Sequence, residues 1–457
     1  MANIFKRHSV KALILFLLLV SGSTYGFCGE RKDEGSISLS LRDAVVMAFK
    51  NNKDILFQEN EIKVAQANIR GAQSAFLPKA NLNAGYTHRG TVLNLASPST
   101  KKDKGVFLGY ENENSIGVGV EQPIYQGGKN IANLKQAELS LKTQKESLRA
   151  KKLSVEFEAK RLFYGLLLAF ETERITKQLV DQAQSHYEDV KSKYKEGTAS
   201  KFDLLQSKVQ VSKLSPQLVR AKNAKELIAS ELKKLLGMKM DEAIELKGTL
   251  EYFPFEINEG EFLQQAYLDR PELIMKGLGI DISKQQIEVA RSGSRPQISA
   301  GLNYDYKSND VGDMLNSRHG NWNAGVQVSI PLFDGFAAKA KVDEARVRYA
   351  QAKLEKEDLS EQIALEIRRS CLDLTQAESI IGSQKDSIEE AKEALKISEV
   401  SFENGVGTNL DVLDSQVSLS QIEKNLSEAI YDHVMARAYL DRSRGKSYLA
   451  EEKNEEK

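Results

Sequence analysis

The pattern of apolar and polar positions is helical over most of the chain, and two of the helical stretches are unusually long. Residues 129–195 and 337–403 each run for 67 residues without a proline, and each stretch ends just before a glycine, Gly197 or Gly405, which suits a helix C-terminus. At 1.5 Å per residue, a helix of this length is roughly 100 Å long. The pattern therefore predicts two very long helices.

Each predicted long helix has an apolar seam, in which apolar residues are spaced three or four positions apart. The seam residues are Val155, Ala159, Phe163 and Leu166 in the first helix, and Ile363, Ile367, Cys371 and Leu374 in the second. This alternation is typical of coiled-coil packing. We expect these residues to form helix–helix cores, in which Cys371 is a small buried residue rather than a nucleophile.

Shorter helical stretches flank the long ones in both halves of the chain. Residues 41–75 and 261–293 are rich in helix-forming residues, and each predicts one helix. Residues 200–236 and 408–444 predict returning helices, and each is followed by a glycine. The two shorter helices of the first half are together about as long as its long one. Stacked end to end, they are expected to pack along its length.

Two other segments alternate with the period of two that strands show. One strand pair is predicted within residues 80–124 and another within residues 297–331. Runs of about ten alternating residues fit a tilted membrane strand, and aromatic residues at strand ends such as Tyr304 and Trp322 fit an aromatic girdle. A single pair could equally be a soluble hairpin. Two pairs at matching points favour a membrane β-barrel with polar loops between the strands.

Four strands per chain are too few for a membrane barrel, because the smallest barrels have about eight. An unpaired sheet edge is not tolerated in lipid. The pattern therefore predicts an oligomer in which two, three or more chains share one barrel.

The chain is a tandem duplication. The sequence Q-P-I-Y-Q-G at residues 122–127 recurs as I-P-L-F-D-G at residues 330–335, an offset of 208 residues. Upstream, Pro78 matches Pro296 at an offset of 218, so the two halves differ by ten residues between these prolines. A constant offset over a long segment indicates repeated structural units.

The chain thus divides into two repeats with short terminal segments. The first repeat is predicted at residues 37–248 and the second at residues 261–445. The remaining residues 446–457 are predicted to form a charged, disordered tail.

The first 26 residues have the pattern of a secretory signal peptide. Basic residues precede a nine-residue apolar run and a small-residue exit, and cleavage is expected after Gly26. The apolar run is shorter than the roughly 20 residues of a spanning helix. Cys28 leaves a lipoprotein alternative open, although Phe27 stands where lipidation motifs have Gly or Ala.

The amino-acid composition excludes several classes of function. Lys and Arg together number 64 and Asp and Glu also number 64, so no global positive charge favours nucleic acid as a partner. Two cysteines and five scattered histidines provide neither a disulfide framework nor a cysteine-built zinc site. Phosphate-binding and hydrolase motifs are absent from the sequence. The sequence therefore predicts a non-enzyme with no catalytic residues, metal or cofactor.

The doubled order of helix, strand pair, long helix and returning helix resembles the TolC-type outer-membrane efflux protein family. The strand-to-helix junctions Q-P-I-Y-Q-G-G-K and I-P-L-F-D-G also resemble it, as do the turn sequences after the long helices. The resemblance implies a mixed, mainly α-helical homotrimer. Twelve strands, four per chain, would form one β-barrel in outer-membrane lipid, continued by a long periplasmic α-helical barrel. Family members are passive ducts for efflux or type I secretion, joined by a periplasmic adaptor protein to an inner-membrane pump.

By the same resemblance, the functional residues lie at the far ends of the long helices. Asp411 and Asp414 match a ring of aspartates at the pore aperture, and Asp203 matches an aspartate in the first-repeat turn. Helix capping alone would also explain Asp411 and Asp203, whereas Asp414 has no capping role. The turn residues that resemble adaptor-docking tips are Gly197, Thr198, Gly405, Val406, Gly407 and Thr408.

Two departures from the family pattern occur at the same end. Some members hold the mouth shut with a Tyr and an Arg, where this chain has Phe402 and Gly407. The usual gating contacts are therefore missing or replaced. The alternative function is a secreted or periplasmic coiled-coil scaffold that binds partners without forming a pore. The exported substrate and the class of pump are not indicated by the sequence.

Overall fold

The computed structural model describes residues 37–90, 93–95, 106–108, 112–308 and 320–449. The predicted signal peptide at residues 1–26 and the possible lipidation site at Cys28 lie outside these residues. The elements of the first half are β1 (Ile37–Leu39), α1 (Leu41–Asn51), α2 (Lys53–Ser74), β2 (Lys79–His88), β3 (Leu93–Leu95), β4 (Val106–Leu108), β5 (Asn112–Gln126), α3 (Lys129–Lys195), α4 (Lys201–Leu236) and β6 (Ile244–Leu246). Those of the second half are α5 (Glu259–Asp269), α6 (Pro271–Arg291), β7 (Gln297–Ser308), β8 (Gly320–Ser329), α7 (Ala337–Glu403) and α8 (Asn409–Ser443).

The two long helices, α3 and α7, are each 67 residues long, as expected from the proline-free stretches. The helix expected in each half before the strand pair is instead two helices. The first breaks at Asn52, whose backbone is extended (φ −65°, ψ 125°) and whose Oδ1 atom accepts from the Asp54 amide at 2.9 Å. The second breaks at Arg270, because Pro271 disfavours helical geometry in the residue before it. The prediction of one unbroken helix per half was therefore wrong.

Helix α3 lies in the middle of the chain's helical part. Towards the sheet it packs between α2 and α6, and towards the opposite end it packs between α4 and α8. Helix α7 packs against α6 and α8. The shorter helices therefore follow the long ones end to end, as expected.

Both seams are buried, each in its own core. In the first repeat, Phe163 is 2% exposed and packs with α1 residues and with Leu232 and Leu236 of α4. In the second, Ile367 is fully buried and packs with residues of α5 and α8. Cys371 is 5% exposed, and burial raises the pKa of its thiol, as expected for a core residue rather than a nucleophile. Each core lies where the short helices meet the seam.

The main sheet has the strand order β2-β5-β7-β8, and all its neighbours are antiparallel. The pairing of β5 with β7 joins the two repeats, and β2 and β8 are the edge strands of this sheet. Residues expected to be polar loop contain a short antiparallel ribbon of β3 and β4 instead. A further short pair, β1 with β6, is parallel and was not expected from the sequence.

The register of the sheet separates apolar from polar side chains. One row of directly opposed residues is apolar: Leu82, Val118, Tyr304 and Trp322. The next row is polar or small: Asn81, Gly119, Asn303 and Asn323. Since the side chains of a strand alternate, these rows lie on opposite faces. All four apolar side chains are exposed in the protomer.

The start of the predicted tail is ordered. The Ser447 hydroxyl donates to Glu156 of α3 at 2.6 Å, and the Tyr448 amide donates to the same carboxylate at 2.7 Å. The Lys160 ammonium lies 5.0 Å from the Tyr448 ring centroid. The prediction of disorder was therefore wrong for residues 446–449, because a buried acid on α3 binds them.

No helix among the described residues is long and apolar enough to cross a bilayer.

Candidate functional site

The site is the end of the protomer away from the sheet, where two interhelical turns lie. We call these turns, residues 196–200 and 404–408, the tips. Gly197 (φ 80°) and Gly405 (φ 74°) are in the left-handed conformation, which ends the long helices. In each tip the amide of the following residue donates to a carbonyl five positions earlier at 2.9 Å, from Thr198 and from Val406. The two tips thus have the same backbone fold.

Each returning helix begins with a reciprocal capping box. The Thr408 hydroxyl donates to Asp411 Oδ2 at 2.7 Å, and the Asp411 amide donates back to the hydroxyl oxygen at 3.2 Å. Ser200 and Asp203 repeat the arrangement at 2.6 and 3.1 Å. The hydrogen bonds from Thr408 hold the pKa of the Asp411 carboxyl below its ordinary value. Sequence spacing alone predicted both caps.

Asp411 and Asp414 lie on the same exposed face of α8. Asp411 uses one carboxylate oxygen in the cap, whereas Asp414 has neither a hydrogen bond nor an ion pair within the part of the chain that the structure describes. Asp414 therefore presents its whole carboxylate to solvent in the protomer. Asp203 is on α4 and contributes its carboxylate to the other cap.

The remaining tip residues divide into inward and outward groups. The Thr198 hydroxyl donates to the Lys193 carbonyl at 3.0 Å, so it belongs to the turn itself. Val406 is 82% exposed. A Cβ atom at Gly407 would lie 2.8 Å from the Ser401 Cβ atom, so only glycine fits there without displacement. Gly197 and Gly405 have no atom within 4 Å of such a Cβ, which leaves their outer surfaces open.

A buried polar network joins the two repeats just above the tips, and the sequence analysis missed it. Asn409 is 2% exposed, and its Oδ1 atom accepts from His186 Nε2 at 2.7 Å and from the Ser207 hydroxyl at 2.9 Å. Its Nδ2 atom donates to Gln206 Oε1 at 3.0 Å. Lys201 occupies the matching position of the first repeat, so the available signal was the break in repeat symmetry at Asn409.

Phe402 lies beside this network. Its ring centroid is 5.2 Å from that of His186, and the Lys193 ammonium lies 4.4 Å from it. Lys193 also donates to the Phe402 carbonyl at 3.3 Å. Phe402 is therefore part of an aromatic and cation–π cluster. This cluster lies at the position where the sequence has phenylalanine instead of the tyrosine expected in some family members.

Comparison with known proteins identifies the family to which this chain belongs. The model of the family described as "Outer membrane efflux protein" matches residues 44–238 and 262–446. The chain belongs to that family. The matched blocks begin 218 residues apart, at 44 and 262, and end 208 residues apart, at 238 and 446, which are the two offsets of the duplication. Family membership assigns the chain to the outer membrane, as a channel protein of the efflux and secretion type.

Several known proteins are similar to this chain over most of its length at low sequence identity. Outer membrane protein TolC of Vibrio cholerae is 21% identical over 411 residues, covering 89% of this chain and 90% of that protein. Alkaline protease secretion protein AprF of Pseudomonas aeruginosa is 19% identical, covering 89% and 84%. The CmeC outer membrane channel of Campylobacter jejuni superimposes with a TM-score of 0.77 at 18% identity, covering 91% of this chain and 89% of that one.

Proposed function

We propose that this protein is the outer-membrane exit duct of a tripartite efflux or type I secretion system. Three chains share one barrel of twelve strands, four from each chain, and their long helices continue it as a tunnel through the periplasm. The observation that carries the proposal is the sheet, which is apolar on one face and polar on the other, and whose edge strands β2 and β8 each have one neighbour among the described residues. Such a sheet fits lipid outside, water inside and a neighbouring chain at each edge, which supports the proposed barrel.

The helices support the same assembly. Helices α2, α3, α6 and α7 lie side by side, and α2 and α7 are the outer members of this row. Two open flanks per chain fit a closed ring of identical protomers. The protein itself catalyses nothing in this proposal: a periplasmic adaptor docks at the exposed tips, and an inner-membrane pump supplies the energy.

In the trimer, the Asp411 and Asp414 carboxylates of three chains surround the periplasmic mouth. Six carboxylates in a narrow opening attract cations, as acidic rings do in other channels. In this arrangement the pump selects the exported substrate, because the duct contributes an opening and a negative charge rather than a binding pocket.

The scaffold alternative accounts for the helices and the buried seams but not for the sheet. A soluble scaffold would leave the apolar row headed by Leu82 and Trp322 in water, where large apolar patches are uncommon. The exposed face therefore favours the duct.

The experiment is native mass spectrometry of the mature protein extracted from outer membranes in detergent, followed by conductance in a planar bilayer. We expect a particle of three chains that forms discrete conducting channels. A water-soluble monomer or dimer without conductance would overturn the duct and favour the scaffold.

A further inference from the structure

The duplication makes one junction inside the chain a template for the junction between chains. Within a protomer, the second strand of the first repeat (β5) pairs with the first strand of the second repeat (β7). The corresponding free edges are β8, the second strand of the second repeat, and β2, the first strand of the first repeat. If protomers form the ring proposed above, β8 of one chain meets β2 of the next.

We propose that β8 pairs with β2 of the next protomer in the register of the internal β5–β7 pair, and that Phe336 packs on Leu77 across this interface. This inference rests on the proposed trimer and adds its contact residues. In the internal pair, Val120 of β5 is opposite Leu302 of β7. Adding 208 to the β5 number gives Val328 of β8, and subtracting 218 from the β7 number gives Ala84 of β2. The proposed register therefore sets Val328 opposite Ala84 of the next protomer. The same shift sets Val326 opposite Tyr86.

The two hairpins justify the shift, because their registers are equivalent. Leu82 is opposite Val118 in the first hairpin, and Ala300 is opposite Val326 in the second. These pairs are related by the offsets 218 and 208, so the two hairpins have the same register.

The space around the glycines shows which junction is filled. At Gly117, facing the internal junction, an added Cβ would lie 2.0 Å from Asp305 Oδ1, whereas its counterpart Gly325 on β8 has no atom within 4 Å. Gly127 would meet the Ser292 carbonyl at 2.7 Å, but its counterpart Gly335 is again open. The backbone angles of Gly127 (φ 63°) and Gly335 (φ 68°) are similar, so the two corners match locally while only the first has a neighbour among the described residues.

The strand-to-helix corner identifies the central contact. Inside the chain, Arg295 donates through Nη1 to the Gly127 carbonyl at 3.1 Å, and an added Cβ at Gly128 would lie 3.2 Å from the same nitrogen. At the matching positions of the other junction, Phe336 replaces Gly128 and Leu77 replaces Arg295. A polar contact at the internal junction thus corresponds to an apolar pair between chains.

The backbone conformation of Phe336 also indicates a constrained contact. It is the one described non-glycine residue with positive φ (68°), a conformation that is unfavourable for a bulky side chain. In the protomer its side chain is 67% exposed and that of Leu77 is 59% exposed. Packing the two together removes both apolar surfaces from water and gives the strained residue a structural role.

Cysteine pairs test the register in outer-membrane fragments. The Val328→Cys, Ala84→Cys protein is expected to form covalent trimers on mild oxidation, because directly opposed residues have Cα atoms about 4.5–5.5 Å apart, within disulfide range. The matched control is Val328→Cys, Leu82→Cys, whose cysteines are displaced by two residues on the same face and lie too far apart. The native Cys28 and Cys371 are present in both proteins, so their contribution is common.

The outcomes separate this inference from the proposed function. Efficient cross-linking of the Ala84 pair and little of the Leu82 pair supports the register. The register is overturned if the Leu82 pair cross-links as well as the Ala84 pair or better. It is also overturned if neither pair cross-links while native mass spectrometry gives three chains. In both cases the trimer still stands. A monomer by native mass spectrometry overturns both.

A double-mutant cycle tests the corner. Phe336→Ala and Leu77→Ala are each expected to lower the temperature at which the trimer dissociates in detergent, and the double variant to lower it little further. Leu332→Ala, at an exposed corner residue outside the mapped contact, is the control and is expected to add independently to Phe336→Ala. Additive effects of Phe336 and Leu77 would overturn the contact.

Discussion

His186 of the first repeat and Asn409 of the second are joined by a buried hydrogen bond of 2.7 Å, in which Nε2 donates to Oδ1. Asn409 is the first residue of α8, and it also receives the hydroxyl of Ser207 on α4. One side chain therefore ties α3, α4 and α8 together just above the tips. It lies next to Phe402, which stands where some family members are expected to have a tyrosine.

We expect Asn409→Ala to loosen this junction. The change leaves His186 Nε2 and Gln206 without their buried partner, and an unsatisfied buried polar group costs about 1–3 kcal/mol. Amide hydrogen exchange at the starts of α4 and α8 should therefore become faster, and the basal conductance of the channel should increase. Asn404→Ala is the control, because Asn404 is exposed and bonds only within its own helix end. Equal effects of the two variants would contradict the role of the network.

We expect Asp414→Asn to reduce cation selectivity severalfold, and more than Asp411→Asn does. No described residue bonds to the Asp414 carboxylate, whereas one oxygen of Asp411 is held in the Thr408 cap. Reversal potentials in asymmetric KCl measure the change. Thr408→Ala is the control, since it removes the cap and keeps both carboxylates. Unchanged selectivity in the Asp411→Asn, Asp414→Asn protein would exclude these residues from the pore.

Stability should decrease in mild acid because of His433. Burial, assisted by nearby Arg437, lowers the pKa of His433 below its ordinary 6.5, and the Glu378 carboxylate only partly opposes this. The unfolded chain therefore binds a proton below about pH 6.5 that the folded protein does not, so this contribution is complete above that pH and is lost as pH falls. The slope is at most about 1.4 kcal/mol per pH unit. Thermal unfolding between pH 7.5 and 5.5 should show a smaller decrease in His433→Gln, and parallel curves would refute the assignment.

Glu156→Ala should destabilise the protein and release the start of the tail. Glu156 and Lys160 form a buried ion pair at 3.3 Å, and removing one partner of such a pair costs about 3–5 kcal/mol. The variant also loses the acceptor of Ser447 and Tyr448, so protease should cleave after residue 445 more rapidly.

The matched control for Glu156 is Glu158→Ala on the same helix. Glu158 pairs with Arg161 at 2.7 Å, but both side chains are about two-fifths exposed, and such pairs contribute about 0–1 kcal/mol. A thermal shift in Glu158→Ala as large as that in Glu156→Ala would refute the distinction between the two pairs.

The features that could be predicted from the sequence are those with local causes. The long helices begin and end where the proline-free stretches and glycines indicated, and the caps at Thr408 and Ser200 follow from spacing alone. The break at Arg270 was also local, because Pro271 marks it, and it was overlooked. The break at Asn52 was harder to predict, since an asparagine within a helical stretch need not cap.

The candidate site divides in the same way. Asp411, Asp414 and the tip glycines were found by spacing and by resemblance, but their pore and docking roles remain predictions. The Asn409 network was missed because its partners are 202 and 223 residues away in the chain. A residue in a polar helix start gives no sign of burial until the neighbouring helices are placed.

The sequence by itself determined the duplication, the helical and strand periods, the seams and the caps, because each depends on residues close together in the chain or on the comparison of its two halves. The tertiary structure decided which strands are neighbours, which face of the sheet each row occupies, where Glu156 holds the tail and what surrounds Asn409. These features depend on contacts between distant segments, whose partners are chosen by packing geometry rather than by local preference.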